Sequence, residues 1–129
     1  MKNLHLPLKT KWFELTKAGI KTEDYREITP YWCMRLLESH DDLESLVWND
    51  MINGLKNHSK RHNGIDECMN YFDVSFKYFD FNVLTLGYPH RTDTERILTI
   101  KHAGIEIRTG NPAWGAEPGK LYFVIKHQF

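Results

Sequence analysis

The sequence predicts an α+β fold, in which a largely helical first half is followed by several short strands. Between residues 43 and 55 apolar side chains recur every four positions, the spacing of a helix with one buried face. Residues 74–86 are instead rich in β-branched and aromatic side chains, which favour strands. A small sheet protects its edges by curling, so we expect a partly closed β-barrel with flanking helices. Because 129 residues are too few to divide between two cores, we expect a single domain over residues 1–129.

The N-terminal segment predicts a strand followed directly by a helix. Residues 4–8 alternate leucine with His5 and Pro7, which indicates a short strand with one buried face, and proline confines it to the edge of a sheet. We expect a helix over residues 10–18, capped by Thr10 and ended by Gly19 in the left-handed conformation.

Residues 22–57 predict a charged strand and two further helices. Residues 22–28 have the pattern of a half-buried strand, and Thr29 followed by Pro30 is typical of a helix start. The four-residue apolar period predicts a longer helix over residues 41–57. Residues 57–70 are polar and contain the turn-forming pair Asn63 and Gly64, so we expect a loop there.

The second half supplies the remaining strands of the predicted sheet. Residues 96–109 read as one long strand, which we expect to bend at Ala103 and Gly104 in a β-bulge. Residues 121–126 alternate in character, so we expect a strand that closes the sheet. The loop between these strands is rich in glycine and proline and contains Trp114.

The composition limits the partners and the compartment. The chain has 17 Lys and Arg residues and 17 Asp and Glu residues, so any attraction for nucleic acid must come from a local patch. No stretch approaches the roughly 20 apolar residues of a membrane span, and we expect no membrane partner. Cys33 and Cys68 are typical of reduced thiols, which indicates a cytoplasmic protein. The sequence makes no prediction of the oligomeric state.

Alternating charges in residues 21–26 predict a functional strand. Residues two apart share a face of a strand, so Asp24 and Arg26 should lie side by side while Lys21 leans over them from the preceding turn. A carboxylate between two cations orients them for ligand binding. The alternative is a solvated surface strand, whose ion pairs contribute little.

The segment GIKTEDYR (residues 19–26) resembles the signature G-x-K-x-x-E-x-R of the ASCH domain family, with Asp24 where glutamate is usual. Residues 25–32 and 109–119 also resemble segments that recur in small phage and bacterial ASCH proteins. The resemblance leaves residues 38–75 uncovered, which indicates an insertion with its own helix. It implies a PUA-like β-barrel and a cleft, lined by the signature strand, that binds RNA or a nucleotide or nucleoside ligand.

For individual residues, the resemblance implies a binding site of Lys21, Asp24 and Arg26, with the loop that contains Asn111 as its rim. Lys21 and Arg26 suit phosphate as a point charge and as a bidentate fork. Tyr25 or Trp114 can stack on an unpaired base. For Trp114 the alternative is a plug that packs the loop onto the barrel.

One branch of the family deacetylates acetylcytidine with a lysine, a threonine and a glutamate, which implies a small amidohydrolase as the second hypothesis. Lys21 matches the lysine, but Asp24 stands at the threonine position, so Lys21 and Asp24 are the catalytic candidates if the chain is an enzyme. Asp24 beside Lys21 favours the charged ammonium, which opposes a role as base. A third hypothesis is a protein-interaction module that presents the apolar stripe of residues 41–57.

Other motifs carry weaker signals. His58 and His62 are four residues apart, the spacing of ligands on a helix, but Lys60 and Arg61 between them oppose a cation, so we expect no metal site. The same basic segment is a second candidate for contacting phosphates. No dinucleotide fingerprint or phosphate loop occurs, and we expect no cofactor.

Overall fold

The computed structural model describes residues 2–39, 45–58 and 64–129. Its elements alternate between helix and strand in the first half and are mainly strands in the second. In chain order they are β1 (Asn3–Leu8), α1 (Thr10–Lys17), β2 (Glu23–Glu27), α2 (Pro30–Leu36), β3 (Leu37–Ser39), α3 (Ser45–His58), α4 (Gly64–Tyr71), β4 (Val74–Phe76), β5 (Phe81–Leu86), β6 (Ile97–Thr109) and β7 (Leu121–Gln128). The predicted α+β class is confirmed. Within the described ranges, no helix is both long and apolar enough to span a membrane.

In the described part of the chain, the main sheet has five strands in the order β1-β5-β6-β7-β2. β1 pairs with β5 in parallel, and the other neighbours are antiparallel. β1 is an outer strand, which confirms the position predicted from Pro7, a residue without a backbone donor. The ladder of the described residues does not join β1 to β2, so it is open, and the partly closed barrel stays a prediction.

The chain between α2 and β5 contains a small second sheet and two helices, which share the hydrophobic core with the main sheet. β3 pairs with β4, and α3 and α4 lie between them in the chain. The loop predicted over residues 57–70 is wrong at residues 57–58 and 64–70, which belong to α3 and α4. Ile65, Cys68, Met69 and Phe72 recur at helical spacing and are buried or half-buried. The polar residues among them, with Asn63 and Gly64, hid this period from the sequence prediction.

The apolar stripe of α3 belongs to the core as far as it is described. Met51 and Leu55 are fully buried, and they share one cluster with Leu4, Leu6 and Phe123 of the main sheet. Leu43 and the side chains of Leu46 and Val47 lie outside the described residues. The stripe therefore offers no support for the interaction-module hypothesis in this part of the chain.

Local signals place the strands and turns that build the site. Gly19 is left-handed, with φ of 76°, as predicted for the end of α1. The N-cap of α1 is Lys9 rather than Thr10, which is already helical. The register of β6 against β7 shifts between His102 and Ile105, which confirms the predicted bulge.

Both faces of β7 are largely buried. Tyr122 and Val124 are buried, and they form a second apolar cluster with Ala116 and the partly buried Tyr25. The reason is the loop after β6, which contributes Ala116 and covers the face that alternation alone would leave in water.

Candidate functional site

The end of α1 turns Lys21 into the protein. After Gly19, the backbone N–H groups of Ile20 and Lys21 both donate to the carbonyl of Leu15, which folds the chain back onto the helix. Lys21 is 1% exposed. A buried ammonium needs partners, and the strand that follows provides them.

Lys21, Asp24 and Arg26 form a hydrogen-bonded ion cluster. Lys21 Nζ donates to Asp24 Oδ1 at 3.2 Å and to the carbonyl of Glu23 at 2.7 Å. Arg26 Nε donates to Asp24 Oδ2 at 2.7 Å. The predicted side-by-side arrangement is confirmed. Because each oxygen of the 4% exposed Asp24 carries a cationic partner, the buried charges are mutually satisfied.

Arg26 extends from the ion cluster towards the surface. Its Nη2 donates to the carbonyl of Pro7 at 2.8 Å, which links the outer strands β2 and β1. Its guanidinium lies over the ring of Trp32, 4.9 Å from the centroid. Thr29 accepts a hydrogen bond from the backbone N–H of Trp32, so the predicted helix start positions this ring. The Arg26 side chain is thus held by Asp24, by the carbonyl of Pro7 and by the ring of Trp32.

Trp32 is part of a larger aromatic–arginine surface, which consists of Arg26, Tyr31, Trp32 and Arg35. The guanidinium of Arg35 lies 5.3 Å from the Tyr31 ring centroid and 5.7 Å from that of Trp32. Tyr31 and Trp32 meet edge to face at 5.2 Å. Tyr31 is 59% exposed, so this surface is open to solvent.

The Tyr25 side chain lies on the opposite face of β2 from Asp24, although Lys21 Nζ is 5.5 Å from the centroid of its ring. Its hydroxyl donates to Glu23 and accepts from the backbone N–H of Asn111 at 2.9 Å. Burial and the hydrogen bond to Glu23 raise the pKa of Tyr25 to about 12. Burial alone would raise the pKa of Glu23, but hydrogen bonds from Arg108 and Tyr25 lower it below its usual value. Tyr25 therefore joins the loop to the strand and is not placed beside Asp24.

The loop that contains Asn111 and Trp114 packs on this second face. The Asn111 side chain accepts from the backbone N–H of Ala113 at 3.0 Å, so it caps a turn within its own loop. Gly115 has φ of 96°, and a Cβ there would lie 2.8 Å from the Trp12 ring. Trp114 is half-buried. The structure does not bring Asn111 to the ion cluster, and both roles considered for Trp114 stay predictions.

The sequence prediction missed a second polar group inside the sheet, the histidine–asparagine network of Asn82, His102 and His127. The Asn82 side chain lies 2.8 Å from His127 Nδ1, 2.7 Å from His102 Nδ1 and 3.1 Å from the carbonyl of Lys126. Asn82 is fully buried and His127 is 7% exposed. Strand alternation offers the signal that could have found them, because His127 shares the inward face of β7 with Phe123 and Ile125.

The network and the ion cluster influence each other. Burial lowers the pKa of His127 to about 4, with the charge of Asp24 opposing the shift and that of Lys21 reinforcing it. Burial also lowers the pKa of His102, at the other end of the network. His102 lines a cavity of about 390 Å³ beside the β6 bulge, together with Phe79 and Gly104. The protein interior therefore contains the Lys21 ammonium as well as the neutral imidazoles of His102 and His127.

Two further expectations concern metal and thiol chemistry. Across residues 2–39, 45–58 and 64–129, no three His, Cys, Asp or Glu side chains are grouped as metal ligands. Lys60, Arg61 and His62 lie outside the described residues, as does the side chain of His58. Cys33 and Cys68 are buried free thiols, and burial raises the pKa of Cys33 to about 12.

Comparison of the chain with protein-family models, with curated proteins and with solved structures finds no match.

Proposed function

We propose that this chain is a PUA-like domain of the ASCH type that binds single-stranded RNA or a nucleotide. Support comes first from the signature residues, since Lys21, Asp24 and Arg26 form one connected cluster. The hydrogen bond from Arg26 to the carbonyl of Pro7 draws the two outer strands of the sheet together, as a partly closed barrel requires. The chemistry of the adjoining surface then indicates the ligand.

The aromatic–arginine surface is the observation that carries the proposal. Unpaired bases stack on aromatic rings whatever their sequence, and arginine pairs with phosphate through a planar fork. Tyr31 exposes 59% of its surface and contacts Trp32 and Arg35, while Arg26 lies over the ring of Trp32. An extended strand of RNA can therefore place a base on Tyr31 and neighbouring phosphates on the two arginines.

In this proposal, Lys21 contributes to RNA binding only indirectly. Its ammonium is 1% exposed and donates to Asp24 and to a backbone carbonyl, so it does not reach a phosphate on the surface. It holds the carboxylate that in turn orients Arg26. RNA affinity should thus depend directly on the exposed surface and only secondarily on Lys21.

Titration of fluorescently labelled single-stranded RNA with the full chain tests the proposal. If the two arginines neutralise about 2 phosphates, raising salt from about 50 mM to about 200 mM should weaken binding roughly seven-fold. Tyr31→Ala and Arg35→Ala should each weaken it at least about five-fold, because a stacked base or a paired phosphate is lost.

Matched controls come from an exposed tyrosine and an exposed arginine elsewhere. Tyr88 is 93% exposed, and Arg91 is also exposed. Tyr88→Ala and Arg91→Ala should leave affinity within about two-fold of the native chain. Equal losses in the control and test variants would show non-specific attraction and contradict the proposal.

A small hydrolase acting on an acylated nucleoside is the second candidate function. The observation in its favour is the buried Lys21 ammonium beside Asp24, next to neutral imidazoles in the same interior. Incubation of the chain with acetylcytidine, read by mass spectrometry for acetate and cytidine, tests it. A product that Lys21→Met abolishes would establish the enzyme, whereas no product at high protein concentration would remove this candidate.

A further inference from the structure

One main-chain oxygen determines the direction of every hydrogen bond in the histidine–asparagine network. The carbonyl of Lys126 can only accept, so the Asn82 atom 3.1 Å from it must be the amide nitrogen. The same nitrogen faces His127 Nδ1 at 2.8 Å, and Nδ1 must therefore accept. The remaining Asn82 atom is the carbonyl oxygen, which accepts from His102 Nδ1 at 2.7 Å. The network thus runs from His102 through Asn82 to His127.

These directions hold His127 as a neutral imidazole with its proton on Nε2. A proton on Nδ1 would point at the amide N–H of Asn82, which is an unfavourable donor–donor contact. Burial favours the neutral ring as well, since it lowers the pKa of His127 to about 4. A neutral imidazole carries a single ring N–H, so the donor of His127 is Nε2.

This donor has no hydrogen-bond partner among the described residues, although it is buried. Leaving a buried donor unpaired costs free energy, and such groups are rare in folded proteins. The backbone N–H of His127 donates to the carbonyl of Thr22, the residue after Lys21, and Asp24 is paired with Ile125 on the same face of β7 as His127. The oriented network therefore ends in an unused N–H next to the ion cluster.

We propose that the Nε2–H of His127 is a binding donor for the carbonyl oxygen of a nucleobase or an acylated nucleoside. A single N–H of fixed direction suits a carbonyl oxygen, whereas a phosphate group calls for several donors. Lys21 does not compete for this role, because its ammonium already donates to Asp24 and to the carbonyl of Glu23. The proposal rests on the proposed function, since it names an atom beside the signature strand β2 that reads a nucleoside.

Nitrogen-detected NMR of the imidazole rings in the full-length chain tests the proposal. We expect His127 to be unprotonated at Nδ1 and protonated at Nε2, and cytidine, uridine or acetylcytidine to shift the Nε2–H signal. Inorganic phosphate should leave that signal unchanged. A proton on Nδ1 would overturn the proposal, and so would an Nε2–H signal that no nucleoside moves, because the donor would then hold water only.

Two substitutions separate binding from folding. His127→Phe removes the donor and should weaken nucleoside binding about ten-fold, whereas His127→Gln keeps a side-chain N–H and should lose much less. His5→Phe, at an exposed histidine, is the control. If His127→Phe changes the melting temperature but not the affinity, the residue is structural and the proposal fails.

The outcomes also distinguish this inference from the proposed function. RNA binding that depends on Tyr31 and Arg35, with an unmoved His127 signal, overturns the inference alone. A nucleoside-dependent shift at His127 without RNA binding supports the buried donor and refutes the RNA surface.

Discussion

Protonation of His127 should destabilise the fold as the pH falls below the usual pKa of histidine. Burial lowers its pKa from 6.5 to about 4 in the folded chain, while the unfolded chain keeps the ordinary value. Between these values the unfolded state binds the extra proton, so the free energy of unfolding decreases with falling pH. The full difference corresponds to about 3 kcal/mol, reached below about pH 4. This is a large part of the roughly 5 to 15 kcal/mol that stabilises a typical domain.

Urea denaturation of the native chain and of His127→Gln measures this effect. From about pH 7.5 to about pH 5, the native chain should lose about 2 kcal/mol more of its free energy of unfolding than the variant, which has no imidazole to protonate. Contributions of groups outside the network, such as Glu106 with its lowered pKa, occur in both proteins and cancel in the difference. Parallel pH dependences of the two proteins would refute the argument that His127 is buried neutral.

Two further substitutions test the ion cluster and the loop. Lys21→Met should lower the free energy of unfolding by roughly 3 kcal/mol in urea denaturation, because the buried Asp24 loses a charged partner, and a loss below about 1 kcal/mol would contradict its role in the fold. Gly115→Ala should lower the melting temperature more than Gly119→Ala, because both glycines have positive φ but only a Cβ at Gly115 meets Trp12, at 2.8 Å. Equal shifts would show that the contact with Trp12 does not matter.

Predictions from local pattern succeeded where a few neighbouring residues decide the structure. The alternation in residues 4–8, the Thr29-Pro30 helix start and the bulge at Gly104 each correspond to an observed feature. The helix α4 escapes prediction although Ile65, Cys68, Met69 and Phe72 keep a complete helical period, because the turn-forming pair Asn63 and Gly64 and the polar residues of this segment favour a loop. Local pattern was thus unreliable where turn signals and a helical period occur in the same segment.

In the candidate site, too, contacts between residues close in the sequence were predictable and contacts between distant residues were not. Asp24 and Arg26 are two residues apart, so strand geometry was enough to predict their contact. Asn82 and His127 are 45 residues apart in the sequence, and no short-range pattern relates them. Their contact depends on β5 and β7 lying on either side of β6, which is a property of the sheet order.

The sequence by itself determined the α+β class, the turn at Gly19 and the charged strand that forms the ion cluster, because these depend on backbone preferences and side-chain alternation over a few residues. Only the tertiary structure decided that Lys21 is buried, that the Tyr25 hydroxyl binds the loop, and that His127 ends an oriented network. Burial and long-range hydrogen bonds arise when distant strands pack together, so they cannot be predicted from the local sequence.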